Sequence, residues 1–473
     1  MDAAKNVVRL GTGILATALV MTGPMGTDPL AGTRVLAQPG NDITIHRRWL
    51  EAVSRGDVDA ALGFLTDDVV FDDGVGCRWP FMCVGPDEVQ PQIEASVRNH
   101  IEIKITDLRR YLTPRTKWTT AWFEVRSDAA RAAGVERILQ AATVVLRGEK
   151  IVSVTWRSNS DDEQTKKFLA AQPRPARPSF PRPEPAPSGR FIDVGGRKMY
   201  MECLGSGSPT VVFEAGLDPI GGASGKTWVG NEPRPRPNRN IHAQVASVTR
   251  ACTYDRAGIG LSDRGPIPRD GLRVVGDLHS MLRGAGERPP YVLVGFSLGG
   301  PLAYLFASQY RHEVAGLVLL DPTEDFFGFS DRLWAILPQA LAETDRRGTE
   351  EFYVQVASPQ FREGGWDWPA TLAHLRGTPP LADIPLIVFS SGVPLTNPYD
   401  FAPPSLFSPQ AGWPDELVEK WEELFMQVHA DLARRVPQGK HVVVDSSHHL
   451  MFRFVPDRVT AAVLQVVQMV RAK

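Results

Sequence analysis

The sequence predicts two unlike domains in tandem: an N-terminal α+β unit with a curved antiparallel sheet, then a larger doubly wound α/β unit. Three observations predict this. Long alternating stretches follow an amphipathic helical pair in the first third of the chain. Short, almost wholly apolar runs alternate with helical segments in the rest. Between the two patterns lies AQPRPARPSFPRPEPAPSG, residues 171–189, where proline at nearly every second or third position sustains neither a helix nor an interior strand, so the tract reads as a polyproline II linker.

A chain of 473 residues is long enough for two or three domains with separate cores. The net charge of −2, from 52 basic and 54 acidic residues, gives no basic field for a polyanion, and no nucleic-acid motif or internal repeat occurs. Nucleic acid is therefore not an expected partner. At the N-terminus, Lys5 and Arg9 precede LGTGILATALVM, too short for a comfortable membrane span but built like the apolar part of a signal peptide. Val35 and Ala37 supply the small residues of a cut after Ala37, so residues 1–37 are expected to direct the chain to a secreted or cell-envelope location. Four cysteines, Cys77, Cys83, Cys203 and Cys252, fit export as two disulfides, and Cys77 and Cys83 are near enough to close a small loop. Their spacing is not a zinc pattern, and no metal is expected.

The first domain opens with DITIHRRWLEAVSRGDVDAALGFLTDDVVF, in which Ile45, Trp49, Leu50 and Val53 recur at helical spacing before the break at RGD. Asp57 stands where a second helix, carrying Val58, Ala61, Leu62 and Leu65, needs an N-cap. IEIKITDLRRYL, KWTTAWFEVRS and ILQAATVVLRGEKIVSVTWRS then read as long strands, which points to a sheet wrapped over helices. With WLEAVSRGDVDAALGFLTDDVVF, CVGPDEV and GEKIVSVTW in this order, residues 41–170 resemble the nuclear-transport-factor-2-like (SnoaL-like) cone fold. The resemblance implies an apolar pocket inside the cone, used in that family for catalysis, binding or dimerisation. Asp72, Asp73 and His100 are the polar candidates for such a pocket, against the plainer reading of exposed charges or caps. No chemistry is assigned to this half; a dimer through it is an expected form of partnership.

The second domain begins with RFIDVGGRKMYMECLG, a hairpin turning at Gly195-Gly196. PTVVFEAG, ACTYDRAG, YVLVGFS, VAGLVLLDP, IPLIVFSSG and HVVVDSSHH are short apolar runs, as expected where both faces of a parallel sheet are covered. Among them, Gly295-Phe296-Ser297-Leu298-Gly299 joins the end of a strand to the start of a helix. In that setting G-x-S-x-G is a nucleophile elbow: a cramped turn where side chains two positions either side of the serine clash, beside the free N–H groups of a helix terminus. Ser297 is the candidate nucleophile. A serine needs a base and the base an orienting acid. A developing oxyanion needs two backbone donors, for which the N–H groups of Leu298 and of Leu217, next to Gly216, are the candidates.

The motifs VVFEAGL, CTYDRAGIGLSD, GFSLGG, AGLVLLDP and PDRV, in this order, make residues 190–473 resemble the α/β-hydrolase family. The resemblance implies a triad in the chain order serine, acid, histidine. HVVVDSSHHLMFRFVPDRV supplies two histidines: His448 is preferred because Leu450 and Phe452 then alternate inward, with His449, better spaced from Pro456, as the alternative. The family often places the acid just after IPLIVFSSG, but the first carboxylate there, Asp400, comes late. Asp321, ending the preceding strand at the edge where ligands bind, is the chosen acid, with Glu324, Asp325 and Asp400 as alternatives. The family's strand order sets the second strand beside the fourth, which pairs Cys203 with Cys252. A short cap is expected over about residues 323–383, where DFFGF, Trp334, Phe352, Trp366 and Trp368 form either an apolar pocket or the packing of a lid. The expected activity is that of a serine hydrolase acting through an acyl-enzyme on a small, apolar, ester-type substrate. Carboxylesterase comes first, lipase or thioesterase next, and no cofactor is implied. The competing expectation is a ligand-binding or dimerising protein whose hydrolase half is vestigial.

Overall fold

A computed structural model describes residues 41–72, 77, 83–112, 117–159, 162–172, 188–217, 228, 240–361, 363–379, 381, 383–392, 415–444, 447 and 449–473. The predicted signal segment and residues 173–187 of the proline-rich tract lie outside them. Asn41–Lys473 forms one compact unit built on two sheets.

The first sheet contains β1 (Leu65–Asp72), β2 (Cys83–Val84), β3 (Glu102–Leu112), β4 (Lys117–Arg126), β5 (Ile138–Arg147) and β6 (Lys150–Ser158), in the order β2-β1-β6-β5-β4-β3. Helix Asn41–Arg55 lays Ile45, Trp49, Leu50 and Val53 into the sheet, the residues whose spacing predicts the helix. Asp57 caps the next helix, Val58–Gly63, by accepting from the Ala60 N–H at 3.0 Å. Leu65, expected to continue that helix, instead starts β1. A third helix, Pro86–Arg98, follows Gly85, whose φ of +83° reverses the chain. Trp49 meets Trp156 and Phe71 edge-on at 6.0 and 6.4 Å, and Phe123 meets Trp156 at 5.0 Å, so aromatic rings fill the centre of this half. Cys77 and Cys83 are disulfide-bonded, with Cα atoms 5.0 Å apart.

The second sheet contains β7 (Gly189–Val194), β8 (Arg197–Leu204), β9 (Thr210–Glu214), β10 (Ala251–Tyr254), β11 (Tyr291–Phe296), β12 (Val314–Leu320), β13 (Leu386–Ser391) and β14 (Gly439–Val444). Their order is β14-β13-β12-β11-β9-β10-β8-β7; β9 to β14 run parallel, and the predicted hairpin β7–β8 adds the antiparallel edge. Every position of β9, β10, β11 and β13 is buried, which is why these strands read as mostly apolar runs without alternation. Successive residues of β11 serve two cores. Tyr291 and Leu293 join the helices Gly271–Gly284 and Gly299–Gln309; Val292, Val294 and Phe296 join Ile241–Ala246 and Pro456–Arg471.

Cys203 of β8 and Cys252 of β10 face each other in register and are disulfide-bonded, as the family's strand order implies. Between β12 and β13, where a cap is expected, the chain forms the helices Phe329–Ile336, Gln339–Ala357 and Trp368–Arg376. Val70 and Val84, at the β1–β2 edge of the first sheet, belong to the apolar cluster that also holds Phe213, Trp228, Phe296 and Met451. Among the described residues no helix is long and apolar enough to cross a membrane.

Candidate active site

The turn after β11 is as cramped as its sequence implies. A Cβ on Gly295 would overlap the Gly299 carbonyl, and one on Gly299 would overlap the carbonyls of Glu214 and Ala215. Ser297 between them is held at φ +52°, in the left-handed region that an L-residue adopts only under constraint. Its N–H donates to the Leu320 carbonyl at 3.0 Å, and its own carbonyl accepts from Gly300 at 2.9 Å and Thr323 at 3.1 Å. The backbone thus fastens Ser297 to β12 and to the start of the cap, leaving the side chain to be aimed by the turn. Leu298 opens the following helix, where N–H groups lack intrahelical acceptors. From the other side, Gly216 comes so close that a Cβ there would stand 3.0 Å from the Ser297 Cβ. Leu217 is the next residue in the chain.

Asp321, one residue past the end of β12, is a second non-glycine residue at positive φ, +44°. Its Oδ1 accepts from the Ser391 N–H and its Oδ2 from the Ser391 hydroxyl, each at 2.8 Å. Oδ2 also lies 2.8 Å from Nδ1 of His449. A carboxylate that already accepts two hydrogen bonds selects the Nδ1–H tautomer, which leaves Nε2 with a lone pair for a proton. The His449 ring packs against Phe296, the residue before Ser297, at 4.7 Å between centroids.

The contact brings His449, the alternative base, rather than the preferred His448, into view beside Asp321. That preference rests on period-two alternation through Leu450 and Phe452, but Met451–Phe454 is helical, so alternation there says nothing about facing. His448 and Asp400 lie outside the described residues, as does the side chain of Glu324. Asp325 is buried in the cap, where it accepts from the Tyr353 hydroxyl at 3.0 Å; burial pushes its carboxyl above the usual range. His441 is half-buried with Nε2 2.8 Å from the Ser390 hydroxyl, and the buried His429 Nδ1 lies on the same hydroxyl at 2.6 Å. His429 Nε2 in turn contacts the Pro322 carbonyl at 2.8 Å, so this cluster backs the loop that carries Asp321. Burial, followed by the nearby Arg434, lowers the His441 pKa.

Trp366 and Trp368, candidates for a pocket wall, are 1% exposed. They pack into the lid with Phe326 and Phe352: centroids are 4.7 Å apart for Phe326–Trp368 and 5.2 Å for Phe352–Trp368.

In the first half, Asp72 is buried in an ion pair with Arg157, whose Nη1 and Nη2 approach it at 3.0 and 2.5 Å. His100 is at the surface with Nδ1 2.5 Å from Asp128. Asp73 lies outside the described residues. Sequence reasoning passed over His46, which is fully buried with Nδ1 2.8 Å from the Thr119 hydroxyl. Burial, aided by Arg47, depresses its pKa to about 3.

It also passed over four charged residues packed behind Gly216. Glu214, Arg256, Arg269 and Glu363 are all buried, with Tyr254 donating its hydroxyl to Glu214. Arg256 uses all five of its N–H donors: Nη1 on Glu214 Oε1 (2.6 Å) and the Ala215 carbonyl (2.5 Å), Nη2 on the Gly216 carbonyl (2.6 Å) and Glu363 Oε2 (2.9 Å), and Nε on Glu363 Oε1. Burial opposes its charge, but Glu363 and Glu214 outweigh burial and hold the guanidinium charged above its ordinary range. The only sequence signal was Arg256 itself, in YDRAG; its partner Glu363 lies 107 positions away.

Strand order, the elbow at Ser297 and a carboxylate at the end of the neighbouring strand together define an α/β hydrolase. Residues 211–462, more than half of the chain, match the alpha/beta hydrolase family, and the chain belongs to it. Residues 46–154 match the SnoaL-like domain. The chain is similar to the uncharacterized protein YqjL of Bacillus subtilis, 30% identical over 189 residues that make up 40% of this chain and 64% of YqjL. YbdG of the same organism is 29% identical over 133 residues, 28% of this chain and 37% of YbdG. The matched stretches thus span less than two thirds of either relative. Among solved structures, a thermophilic esterase from Thermogutta terrifontis aligns with 60% of this chain and 98% of its own, at 20% identity and a TM-score of 0.37. The enol-lactonase from Burkholderia xenovorans aligns with 59% and 100%, at 15% identity and a TM-score of 0.37.

Proposed function

We propose that this protein is an exported serine hydrolase that cleaves ester-type bonds of a small, apolar substrate. One observation carries the reading: the contact between His449 Nδ1 and Asp321 Oδ2, made at the ends of parallel strands beside the constrained Ser297. In this reading Ser297 Oγ attacks the acyl carbonyl and His449 Nε2 takes its proton. Asp321 holds the imidazole and stabilises the imidazolium. The tetrahedral oxyanion is met by the N–H groups of Leu217 and Leu298. Collapse releases the alcohol, protonated by His449, and leaves the acyl group on Ser297; water, deprotonated by the same ring, then frees the acid. His449 takes the place of His448 as the base. Phe296 and Leu298, on either side of Ser297, and Leu217, next to Gly216, are apolar, which supports an apolar acyl or alcohol group. The two disulfides support an oxidising location.

A fluorophosphonate probe tests the assignment. Wild type is expected to be labelled on Ser297, with labelling abolished in Ser297→Ala and strongly slowed in His449→Ala. Folded wild type that resists the probe would instead mark the hydrolase half as vestigial and the protein as a binder. A panel of short to long acyl esters then ranks the substrate size.

A further inference from the structure

We propose that Arg256 is a positioning residue that aims the Leu217 N–H at the reacting centre, and that the cap sets this aim through Glu363. The inference rests on the reading of Ser297 as the nucleophile and extends it to a residue that does not touch substrate.

One peptide unit links Arg256 to the oxyanion donor. The Gly216 carbonyl and the Leu217 N–H belong to the same planar group, and this bond is trans, so the two point in opposite directions. Arg256 Nη2 grips that carbonyl at 2.6 Å, while Nη1 grips the preceding carbonyl, of Ala215, at 2.5 Å. Two donors of one rigid fork on successive carbonyls fix the plane of the peptide as well as its place. The Leu217 N–H must then point away from the guanidinium. Ser297 is close to this peptide: its Cβ would be 3.0 Å from a Cβ on Gly216.

The remaining donors hold Arg256 itself. Glu214, at the end of β9, takes Nη1 at 2.6 Å. Glu363 takes Nε and, at 2.9 Å, Nη2. Glu363 belongs to the cap, between the helices Gln339–Ala357 and Trp368–Arg376, and its own carbonyl is held by Arg269 Nη2 at 2.9 Å. Arg269 lies with its guanidinium 4.9 Å from the Trp366 ring and donates its N–H to the Gly365 carbonyl at 2.7 Å. The cap is thus tied to the peptide that carries the oxyanion donor by a chain of buried, charge-assisted bonds. The four charges cancel, two of each sign. A network of this kind is weak evidence for stability, because apolar residues of similar size often do as well. Its place behind Gly216 is what calls for explanation, and orientation of the 216–217 peptide supplies one.

The test compares wild type, Arg256→Lys and Glu363→Gln as full chains, using a short-chain nitrophenyl ester and a trifluoromethyl ketone, which forms a tetrahedral oxyanion on the serine. Lysine keeps the charge but has no fork to span two carbonyls. Losing one oxyanion donor outright lowers kcat about 100- to 1,000-fold. A misaimed donor is therefore expected to lower kcat about 10- to 100-fold in Arg256→Lys and about three- to tenfold in the near-isosteric Glu363→Gln. KM should stay within about twofold, and ketone affinity should fall by the same factor as kcat. Unchanged ketone affinity in folded variants overturns the proposal, whatever happens to melting temperature. Should Arg256→Lys not fold, Glu363→Gln decides by the same criterion. Failure of the underlying reading looks different: wild type itself would then not be labelled by fluorophosphonate on Ser297.

Discussion

The two halves handle buried polar groups in opposite ways. In the cone half, the described buried contacts include neutral pairs, His46 on Thr119 and Thr120 on Thr143, beside one ion pair, Asp72–Arg157. His46 avoids the penalty of a buried charge by staying neutral, with its pKa depressed to about 3. In the α/β half, charges are kept inside, and Glu214, Arg256 and Asp321 among them stand at or just past the C-terminal ends of parallel strands. Backbone constraint divides in the same way. Among the described residues, the left-handed non-glycine residue of the cone, His100, follows a helix end at the surface, whereas Ser297 and Asp321 are both at strand ends in the site. Constraint and buried charge concentrated at one sheet edge are the marks of a site that must be aimed; their sparseness in the cone marks a half built on apolar packing.

The largest expected effect tests the aimed edge. Ser297→Ala and His449→Ala should each lower kcat for ester hydrolysis by about 10⁴-fold while the melting temperature moves little. A His449→Ala enzyme within tenfold of wild type would return the role to His448 and undo the contrast at its centre. Next comes packing. Trp49 is fully buried between Phe71 and Trp156, so Trp49→Ala should destabilise the cone half by about 3–5 kcal/mol. Denaturant unfolding measures this, and kcat of the folded fraction should stay within about twofold. A parallel collapse of kcat would show that the cone also supports the hydrolase site, through the apolar cluster that includes Val70 and Val84.

A smaller effect is expected from pH. The His46 pKa is about 3 in the folded chain against its ordinary 6.5, so below pH 6.5 the unfolded chain takes up a proton that the native one refuses. Stability is therefore complete above pH 6.5 and falls as the pH drops toward 3, by about 1.4 kcal/mol per unit from this group. Urea midpoints between pH 7 and 4.5 should show a shallower loss in His46→Gln; an unchanged slope would remove His46 from the account. The smallest change is Ser391→Ala. It deletes the hydroxyl donor on Asp321 and leaves the Ser391 N–H and His449, for an expected fivefold fall in kcat, about 1 kcal/mol. No fall at all would mean that the Ser391 hydroxyl is not needed to orient the carboxylate.

Much of this edge was legible because it is local. Gly295 and Gly299 announce a turn that tolerates no side chain, and the apolar runs announce strands covered on both faces. Asp57 announces its helix by position alone. The histidine was not legible. Alternation is informative only in a strand, and the chain past His449 turns into a helix. Ser391 was hidden in a strand end that reads as ordinary, and the Trp366–Trp368 pair gave no sign of whether it faces a cavity or the lid.

The sequence by itself determined the elements, their order, the elbow and the identity of the two halves, since each depends on neighbours within a few positions. Only the tertiary structure decided which histidine meets Asp321 and which carboxylate clasps Arg256, 107 positions away. The physical reason is that a hydrogen bond acts over about 3 Å of space and is indifferent to distance along the chain.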